Sequence, residues 1–423
     1  MERVLPVLDK IIIATLFVFV FFSMFSISIT QIACGLGGLA WFFRTYLNSV
    51  EKQRWPLGIP FALYILACLV AVGNAYDVSN SFEPLKKLLE ILIFFWVVNC
   101  VREDRLRDSL TILLIIVGSV AGVIGFYQAW ESGVTVMNRI EGTMSVYMTF
   151  AGLLMMVGMM AFARALFKCP REAWLWAAVA IIVACLLFTL TRQAWFGFLT
   201  GFLFLGFVWK KKYFLISLVL VFFIVFASSA QMKTSFSNLF IDKNVTFIEQ
   251  VKHRIHGMIT GNDYNFAVRL ALWRGGWEIY KDYPLTGCGF HCVDLMFTNP
   301  NVNSPYPDPT GFIKRHRGMH NNFVQLAVDT GILGLTAWLG IWVCFFRLLY
   351  KRATALKGEP DSQWIVLGSA AAGVAFLAGG LFETNFYDSE MVMVLYFIMA
   401  LPFSGSQKLT SEVKEGAQNY VPV

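Results

Sequence analysis

Residues 319–335, MHNNFVQLAVDTGILGL, mark the place where a long polar region ends and a hydrophobic segment begins. At helical spacing Asn321, Gln325 and Asp329 form one polar row, and we expect this row to face water while a neighbouring face packs. His320 then lies at the water-facing edge of the lipid, at a sheltered boundary. A titratable imidazole in that position can perform acid or base chemistry on a substrate that is half lipid.

The composition identifies the class of protein. Hydrophobic residues make up 57% of the chain and charged residues 14%, and the mean hydropathy is +0.62, far from the values of a soluble globular chain. The sequence therefore predicts an all-α polytopic membrane protein. The net charge of +7 does not indicate nucleic-acid binding, because the basic residues gather in short loops, as orientation in a membrane requires.

Apolar runs recur along the chain, and we expect about twelve transmembrane helices, since each needs roughly 20 residues to cross the hydrocarbon. Alternate connections carry the positive charge, so both termini are expected in the cytoplasm. The first run lacks a convincing cleavage site and is interpreted as an uncleaved anchor. The predicted spans are 11–29, 31–46, 56–74, 85–101, 110–130, 146–167, 174–190, 194–209, 213–229, 322–349, 366–386 and 391–403.

The spans divide the chain into four parts. Residues 1–230 hold the first nine helices, 231–320 form one large outer segment with amphipathic helices, 321–404 hold the last three helices, and 405–423 form a cytoplasmic tail. A polar connection as long as the outer segment is usually functional, so we expect the chemistry on that side. Within it, residues 266–280 predict an amphipathic helix, which a proline then ends.

Two arginines are the first candidates for binding an anion. Arg192 lies at the outer junction of two predicted spans, where an arginine is costly unless it reaches an interface, an anion or a partner. Arg269 lies near the start of the predicted amphipathic helix. Together they suit pyrophosphate, because arginine offers two parallel donors to phosphate oxygens. The alternatives are a snorkelling anchor at Arg192 and a solvated helix face at Arg269.

Further outward cations are secondary candidates. Arg139, Lys86 and Lys87 either contribute to the same anion site or offset nearby glutamates. Arg315 either forms a basic approach to His320 or belongs to a solvated loop.

Carboxylates and cysteines on the outer side leave alternatives open. Glu383 and Asp388 either orient the imidazole or bind sugar, or they belong to a solvated turn. Cys288 and Cys292 are the cysteines of the outer segment and predict either a disulfide or, less readily, a metal pair. The sequence contains no nucleotide loop, nucleophile elbow or zinc motif, and its carboxylates lack the pairing of a metal-dependent glycosyl transfer site. We therefore expect neither a metal nor another cofactor.

Several of these runs resemble signatures of the O-antigen ligase and polymerase superfamily. The H-N-x3-Q-x3-E-x-G-x2-G signature is similar to His320, Asn321, Gln325, Asp329, Gly331 and Gly334, with aspartate in place of glutamate. The R-x3-W-x3-W-x6-P-x2-G-x-G signature is similar to Arg269, Trp273, Trp277, Pro284, Gly287 and Gly289. The surroundings of Arg192 and Arg139 resemble two further segments of the family. Gly331 and Gly334 also suit close packing between membrane helices.

The resemblance implies a function. It implies a GT-C-like, metal-independent, inverting glycosyltransferase of the bacterial inner membrane, with its active site in the periplasm. The donor would be O-antigen linked to undecaprenyl pyrophosphate, and the acceptor would be lipid A-core. By the same resemblance His320 is the general base, Asn321 is a neighbouring candidate, and Arg192 and Arg269 hold the departing pyrophosphate.

The resemblance leaves alternatives within and outside the family. An O-antigen ligase is the first interpretation, an O-antigen polymerase the second and a protein O-oligosaccharyltransferase the third. The protein-modifying members usually carry an extra soluble domain after the last span, whereas this sequence ends soon after Phe403, so its length favours the first two. A transporter of lipid-linked glycans is the alternative from another class. It predicts ionisable residues deep within the spans, and these are nearly absent from the sequence.

Overall fold

A computed structural model describes residues 4–48, 51–135, 138–209, 264–297, 305–310 and 318–405. These residues form helices joined by turns, together with an isolated β-bridge between Phe297 and Tyr306. The all-α prediction is therefore confirmed for the described residues. The predicted span 213–229, the outer segment up to residue 263 and the tail after residue 405 lie outside them.

The described helices include several that can cross a membrane. By length and apolar composition these are α1, α6, α7, α12 and residues Ser362–Gly379 of α13, so the chain is a multi-pass membrane protein. Short 3₁₀ helices cover Glu83–Glu90, Asn385–Tyr387 and Leu401–Phe403. The α-helices are α1 Val4–Phe22, α2 Ile27–Leu47, α3 Gly58–Gly73, α4 Val78–Phe82, α5 Ile91–Cys100, α6 Asp104–Ser132, α7 Tyr147–Phe167, α8 Ala173–Phe188, α9 Arg192–Trp209, α10 Tyr264–Asp282, α11 Val293–Met296, α12 Asn322–Ala355, α13 Pro360–Gly379 and α14 Ser389–Ala400.

Several predicted spans have different boundaries in the structure. The first, 11–29, contains a turn between α1 and α2, where the side chain of Ser26 caps the first turn of α2, because a serine oxygen satisfies an otherwise unpaired amide. The span 85–101 begins as a 3₁₀ helix that carries Pro84 and both lysines. The span 366–386 ends as a helix at Gly379, which places Glu383 in the connection to α14.

Helix α7 is the central element of the bundle. It packs against α6, α8, α9, α13 and α14, and nearly all of its side chains are buried. Its sequence is apolar on every face, as expected for a helix surrounded by protein. At Gly152, an added Cβ atom would lie 2.4 Å from the side chain of Met391 on α14. The N-terminal end of α7, at Tyr147, is therefore surrounded by the neighbouring helices.

Helix α12 is broken at Gly331, whose backbone has φ 62° and ψ −165°. The break is matched by the turn that follows α10. The amide of Cys288 donates to the carbonyl of Val328 at 2.9 Å, and the amide of Ile332 donates to the carbonyl of Pro284 at 2.9 Å. These bonds pair backbone groups that an unbroken helix would have paired internally.

The break corrects the role predicted for two glycines. A Cβ atom on Gly331 would lie 2.3 Å from the backbone of Leu285, and one on Gly334 would lie 2.0 Å from the hydroxyl of Thr330 in the same helix. Gly331 is therefore required by the turn after α10, and Gly334 by Thr330 in the preceding turn of the same helix. Neither glycine is explained by close packing against a second membrane helix. The two glycine-containing signatures are therefore in contact: Gly331 of α12 lies against Leu285, and Gly287 of the turn after α10 lies against Asp329.

Replacing Gly331 by alanine is expected to destabilise the protein. The backbone conformation of Gly331 is one that only glycine adopts readily, and forcing a side chain there costs about 1–3 kcal/mol before any clash is counted. The added methyl group also meets the backbone of Leu285. We expect a lower Tm for the purified Gly331→Ala protein. The matched control is Gly340→Ala in the same helix, where a Cβ atom meets nothing within 4 Å; an equal fall in Tm for both variants would contradict the role of the break.

Candidate active site

His320 immediately precedes α12 and has an unusual backbone. Its φ is 48°, in the left-handed region that residues other than glycine seldom adopt and that clusters at functional sites. Asn321 caps the helix, since its Oδ1 accepts hydrogen bonds from the amides of Phe323 at 2.8 Å and Val324 at 3.1 Å. Its Nδ2 donates to the carbonyl of Leu381 at 2.9 Å. Asn321 therefore fixes the backbone turn that carries the imidazole.

The imidazole of His320 is paired with a carboxylate. Its Nδ1 lies 2.9 Å from Oε1 of Glu383, and Nη2 of Arg269 lies 3.6 Å from Oε2 of the same glutamate. The side chain of Glu383 is 14% exposed, whereas that of His320 is 40% exposed. The prediction that Glu383 belongs to a solvated turn is wrong, and its alternative, contact with His320, is what the structure contains.

Glu383 stays ionised in this environment. Burial raises the pKa of its carboxyl, but the hydrogen bond from His320 and the charges of His320 and Arg269 outweigh burial, so the pKa lies below its ordinary value. An ionised Glu383 accepts a hydrogen bond from Nδ1–H of His320. In the tautomer with its proton on Nδ1, the ring has its lone pair on Nε2.

The Glu383 pair predicts a pH-dependent contribution to stability. Because its pKa is lower in the folded state, the pair stabilises the fold above the unfolded pKa of about 4.3, and this contribution is lost as the pH falls through the folded value. We expect Glu383→Gln to lower Tm at pH 7, with the difference from the wild type shrinking below about pH 4.3. The control is Glu131→Gln, at an exposed site. A Tm difference that is the same at every pH would contradict the assignment.

The polar row predicted for α12 is buried, so the expectation that it faces water is wrong. Asn321, Gln325 and Asp329 are 7%, 1% and 0% exposed. Oε1 of Gln325 accepts from the amide of Met319 at 2.7 Å, and its Nε2 donates to Asp329 at 2.9 Å. Nε1 of Trp273 donates to the carbonyl of Met319 at 2.8 Å. Buried polar groups require partners, and the partner of Gln325 is the backbone of Met319, the residue before His320. The polar row therefore fixes the backbone next to the imidazole.

A pocket of about 130 Å³ brings the main candidates together. Arg192, Arg269 and His320 all line it, and so does Arg139. We call it the arginine pocket. Its other lining residues are Tyr147, Met148, Leu190, Gln193 and Val268. Three guanidinium groups around one imidazole form a site for a multiply charged anion beside a base.

Local structure presents two of these arginines. Arg192 is the first residue of α9, after a tight turn in which Leu190 has φ 51°. The guanidinium of Arg139 lies 4.4 Å from the ring centroid of Tyr147, in a cation–π contact. The amide of Gly142, in the same connection, donates to the side chain of Gln128 at 2.8 Å. Turns at the ends of separate helices thus point distant cations into one pocket.

Comparison with families of known proteins matches residues 177–339 to the family described as O-antigen ligase. This chain is similar to that family over the matched residues. The resemblance of its motifs to that superfamily is thereby confirmed. The matched region includes Arg192, Arg269 and His320, whereas Arg139 and Glu383 lie outside it. A search of curated proteins found no significant match.

The arginine pocket does not contain every predicted candidate. Lys86 is exposed and forms an ion pair with Glu83 at 2.9 Å, as its alternative interpretation predicted. Lys87 donates to the carbonyl of Tyr387, and neither lysine lines the arginine pocket. Asp388 caps α14. The secondary candidate Arg315 lies outside the described residues.

The two cysteines of the outer segment form a disulfide. Cys288 and Cys292 are bonded to each other, which is one of the two outcomes that the sequence left open. Their sulfur atoms and a carboxylate oxygen of Asp329 lie within 4.8 Å of one another. With both sulfurs in a disulfide, the group lacks the thiolates that a metal would require. The disulfide therefore ties together the turn that supports the break in α12.

Two residues outside the arginine pocket were not identified from the sequence. His291 packs against Tyr387, with ring centroids 4.5 Å apart, and its Nε2 lies 3.5 Å from Nζ of Lys87. Burial, and then the charge of Lys87, lower the pKa of His291 to about 4. His291 is therefore neutral near pH 7. The only sequence signal was its place two residues after the last glycine of the signature in the turn that follows α10.

Proposed function

We propose that this protein is an O-antigen ligase that moves a polysaccharide from undecaprenyl pyrophosphate to a sugar hydroxyl of lipid A-core. The match to the O-antigen ligase family indicates ligase or polymerase-type glycosyl transfer. The observation that carries the proposal is the arginine pocket, in which cations from three separate parts of the chain surround one imidazole. A pyrophosphate leaving group and an acceptor hydroxyl are the two partners that this combination fits.

His320 acts as the general base in this proposal. Glu383 accepts a hydrogen bond from Nδ1–H and fixes the ring, so Nε2 takes the proton of the acceptor hydroxyl as the oxygen attacks the anomeric carbon. The oxygen approaches from the face opposite the pyrophosphate, so the configuration at that carbon inverts. The new glycosidic bond forms while the bond to the pyrophosphate oxygen breaks.

The arginines stabilise the departing pyrophosphate. Negative charge develops on its oxygens as the glycosidic bond breaks, and fixed cations placed there stabilise the transition state more than the ground state. Arg192 and Arg269 have this role, and Arg139 is a third cation in the same pocket. Because these groups supply the positive charge, we expect the reaction to need no metal.

The proposal includes a membrane arrangement. It places about twelve transmembrane helices across a bacterial inner membrane, and five of the described helices are long and apolar enough to span it. The arginine pocket opens to the periplasm, the segment 231–320 lies on that side, and both termini lie in the cytoplasm. The distribution of basic residues in the short loops supports this orientation.

An O-antigen polymerase uses the same donor and leaving group, so the acceptor separates the two functions. The experiment gives the purified full-length protein a lipid-linked donor and offers either lipid A-core or a second lipid-linked repeat unit as acceptor. A ligase forms product only with lipid A-core, and it does so in the presence of a chelator. Chain extension on the lipid-linked repeat unit would overturn the ligase assignment, and product only with added divalent metal would overturn the metal-independent mechanism.

A further inference from the structure

A long apolar groove runs between α2 and α5. It has a volume of about 950 Å³, and we call it the lipid groove. Along α2 it is lined from Gln31 to Thr45, and Trp55 and Trp96 also face it. Several of its apolar side chains are strongly exposed, among them Leu39 at 57% and Leu92 at 50%. Outward-facing apolar side chains along predicted membrane spans suit contact with a hydrocarbon chain.

Glycines keep the lipid groove open. A Cβ atom added to Gly35 or to Gly38 would meet nothing within 4 Å, and both glycines line the groove. By contrast, a Cβ atom on the intervening Gly37 would lie 2.2 Å from Trp96. Side chains at positions 35 and 38 would therefore occupy the groove, whereas position 37 is required for packing.

One end of the lipid groove carries charge. Lys86, Lys87 and Glu90 line this end, and Lys86 is the most accessible of the cations, with 67% of its side chain exposed. Primary ammonium groups above an apolar groove are suited to a lipid whose head carries phosphate. The other end, at Gln53 and Trp55, carries no cation among the described lining residues.

The charged end continues into a second polar pocket of about 300 Å³. Lys87 and Ser389 line both the pocket and the groove. The pocket also contains the carboxylates of Asp388 and Glu390 and the hydroxyl of Thr149, so we call it the carboxylate pocket. Carboxylates and hydroxyls are the groups that hydrogen-bond sugar hydroxyls.

The N-terminal end of α7 separates this pocket from the arginine pocket. Tyr147 and Met148 line the arginine pocket, whereas Val146 and Thr149 line the carboxylate pocket. Among the described residues, the arginine pocket and the lipid groove have no lining residue in common. The arginine pocket and the carboxylate pocket therefore lie on either side of the first turn of α7.

We propose that the lipid groove holds an acyl chain of a phosphorylated acceptor glycolipid, with Lys86 and Lys87 at its phosphate and the carboxylate pocket on its sugars. This rests on the proposed function. In the donor, only a pyrophosphate separates the reacting carbon from the isoprenoid chain, so that chain begins beside the arginines. In lipid A-core, several sugars separate the acceptor hydroxyl from the acyl chains. A groove remote from the arginine pocket therefore fits the acceptor.

Photolabelling tests the occupant directly. The probe is lipid A with a diazirine on one acyl chain, added to the full-length protein in phospholipid nanodiscs. We expect labelled peptides from α2 and α5, displaced by unlabelled lipid A and lost in Gly38→Leu and Gly35→Leu. The control is Gly340→Leu, at a helical glycine whose Cβ position is also open. Each variant is first checked for an unchanged Tm.

Two results would overturn the proposal. Displacement of the label by undecaprenyl pyrophosphate would assign the groove to the donor, and equal labelling by a diazirine phospholipid that lipid A does not displace would identify it as ordinary membrane contact. In the transfer assay, Gly38→Leu is expected to raise KM for the acceptor about tenfold, the loss of roughly two buried methylene contacts, with KM for the donor unchanged. Labelling needs no turnover, so it remains informative if transfer to lipid A-core is not observed.

Discussion

His320→Ala is expected to lower kcat for glycan transfer by about 10²–10⁴-fold, the usual contribution of a positioned general base. The imidazole is the group in the arginine pocket that can accept a proton and is already oriented by Glu383. Donor binding depends on the arginines, so KM for the donor should change little. The measurement is initial rate with purified lipid-linked donor and lipid A-core.

A second variant separates lost chemistry from lost structure. His320 has φ 48°, and asparagine tolerates that conformation better than alanine does. His320→Asn also keeps an amide that can donate to Glu383, but it cannot accept the proton. We therefore expect His320→Asn to fold with the Tm of the wild type and to be as inactive as His320→Ala. Substantial activity in the asparagine variant would contradict the base assignment.

In cells, the same substitutions distinguish the two family functions. A ligase without its base would leave full-length O-antigen on its lipid carrier, unattached to lipopolysaccharide. A polymerase defect would instead leave single repeat units attached. Normal lipopolysaccharide from the His320→Ala strain would contradict both functions.

The sequence selected three residues that the structure brings to one pocket. Arg192, Arg269 and His320 stand in short signatures whose residue types suit an anion and a base, and all three line one pocket. Their convergence depends on how α9, α10 and α12 end near one another, which spacing along the chain does not reveal. The resemblance to a known family supplied that expectation where local pattern could not.

Glu383 shows what the sequence could not decide. It lies 63 residues after His320, in a connection that looks like any polar turn between two spans. Its burial and its contact arise only when the α13–α14 connection packs over the start of α12. Helical periodicity also failed at the polar row of α12. It identified the correct face, but the partners of Gln325 and Asp329 include backbone groups outside the helix, so the row is buried.

The glycines of α12 were misinterpreted for a related reason. Small residues in a membrane helix have two uses, close helix packing and a break in the helix, and composition does not distinguish them. Gly331 serves the second use, because the turn after α10 provides the hydrogen bonds that the broken helix loses. The signature that begins on α10 and the signature on α12 thus supply the two sides of one backbone contact, between the turn after α10 and the break in α12.

Removing a guanidinium from the arginine pocket should cost nearly as much as removing the imidazole. For Arg269→Ala and Arg192→Ala we expect kcat to fall by about 10²–10³-fold, the effect of deleting one preorganised donor to developing negative charge. The matched control is Arg274→Lys or Arg274→Ala, at an exposed position on the same helix as Arg269, which should leave the rate unchanged.

Lysine substitutions identify how the arginines act. Arg269 is 3.6 Å from Glu383, so its loss could reduce activity either through the pyrophosphate or through the orientation of His320. Arg269→Lys keeps a charge beside Glu383 but lacks the planar fork that binds two phosphate oxygens. If binding of the leaving group is the role, Arg269→Lys and Arg192→Lys should both remain strongly impaired. Full recovery by lysine at position 269 alone would instead make Arg269 a positioning residue for Glu383, and the pyrophosphate would be held by Arg192 and Arg139.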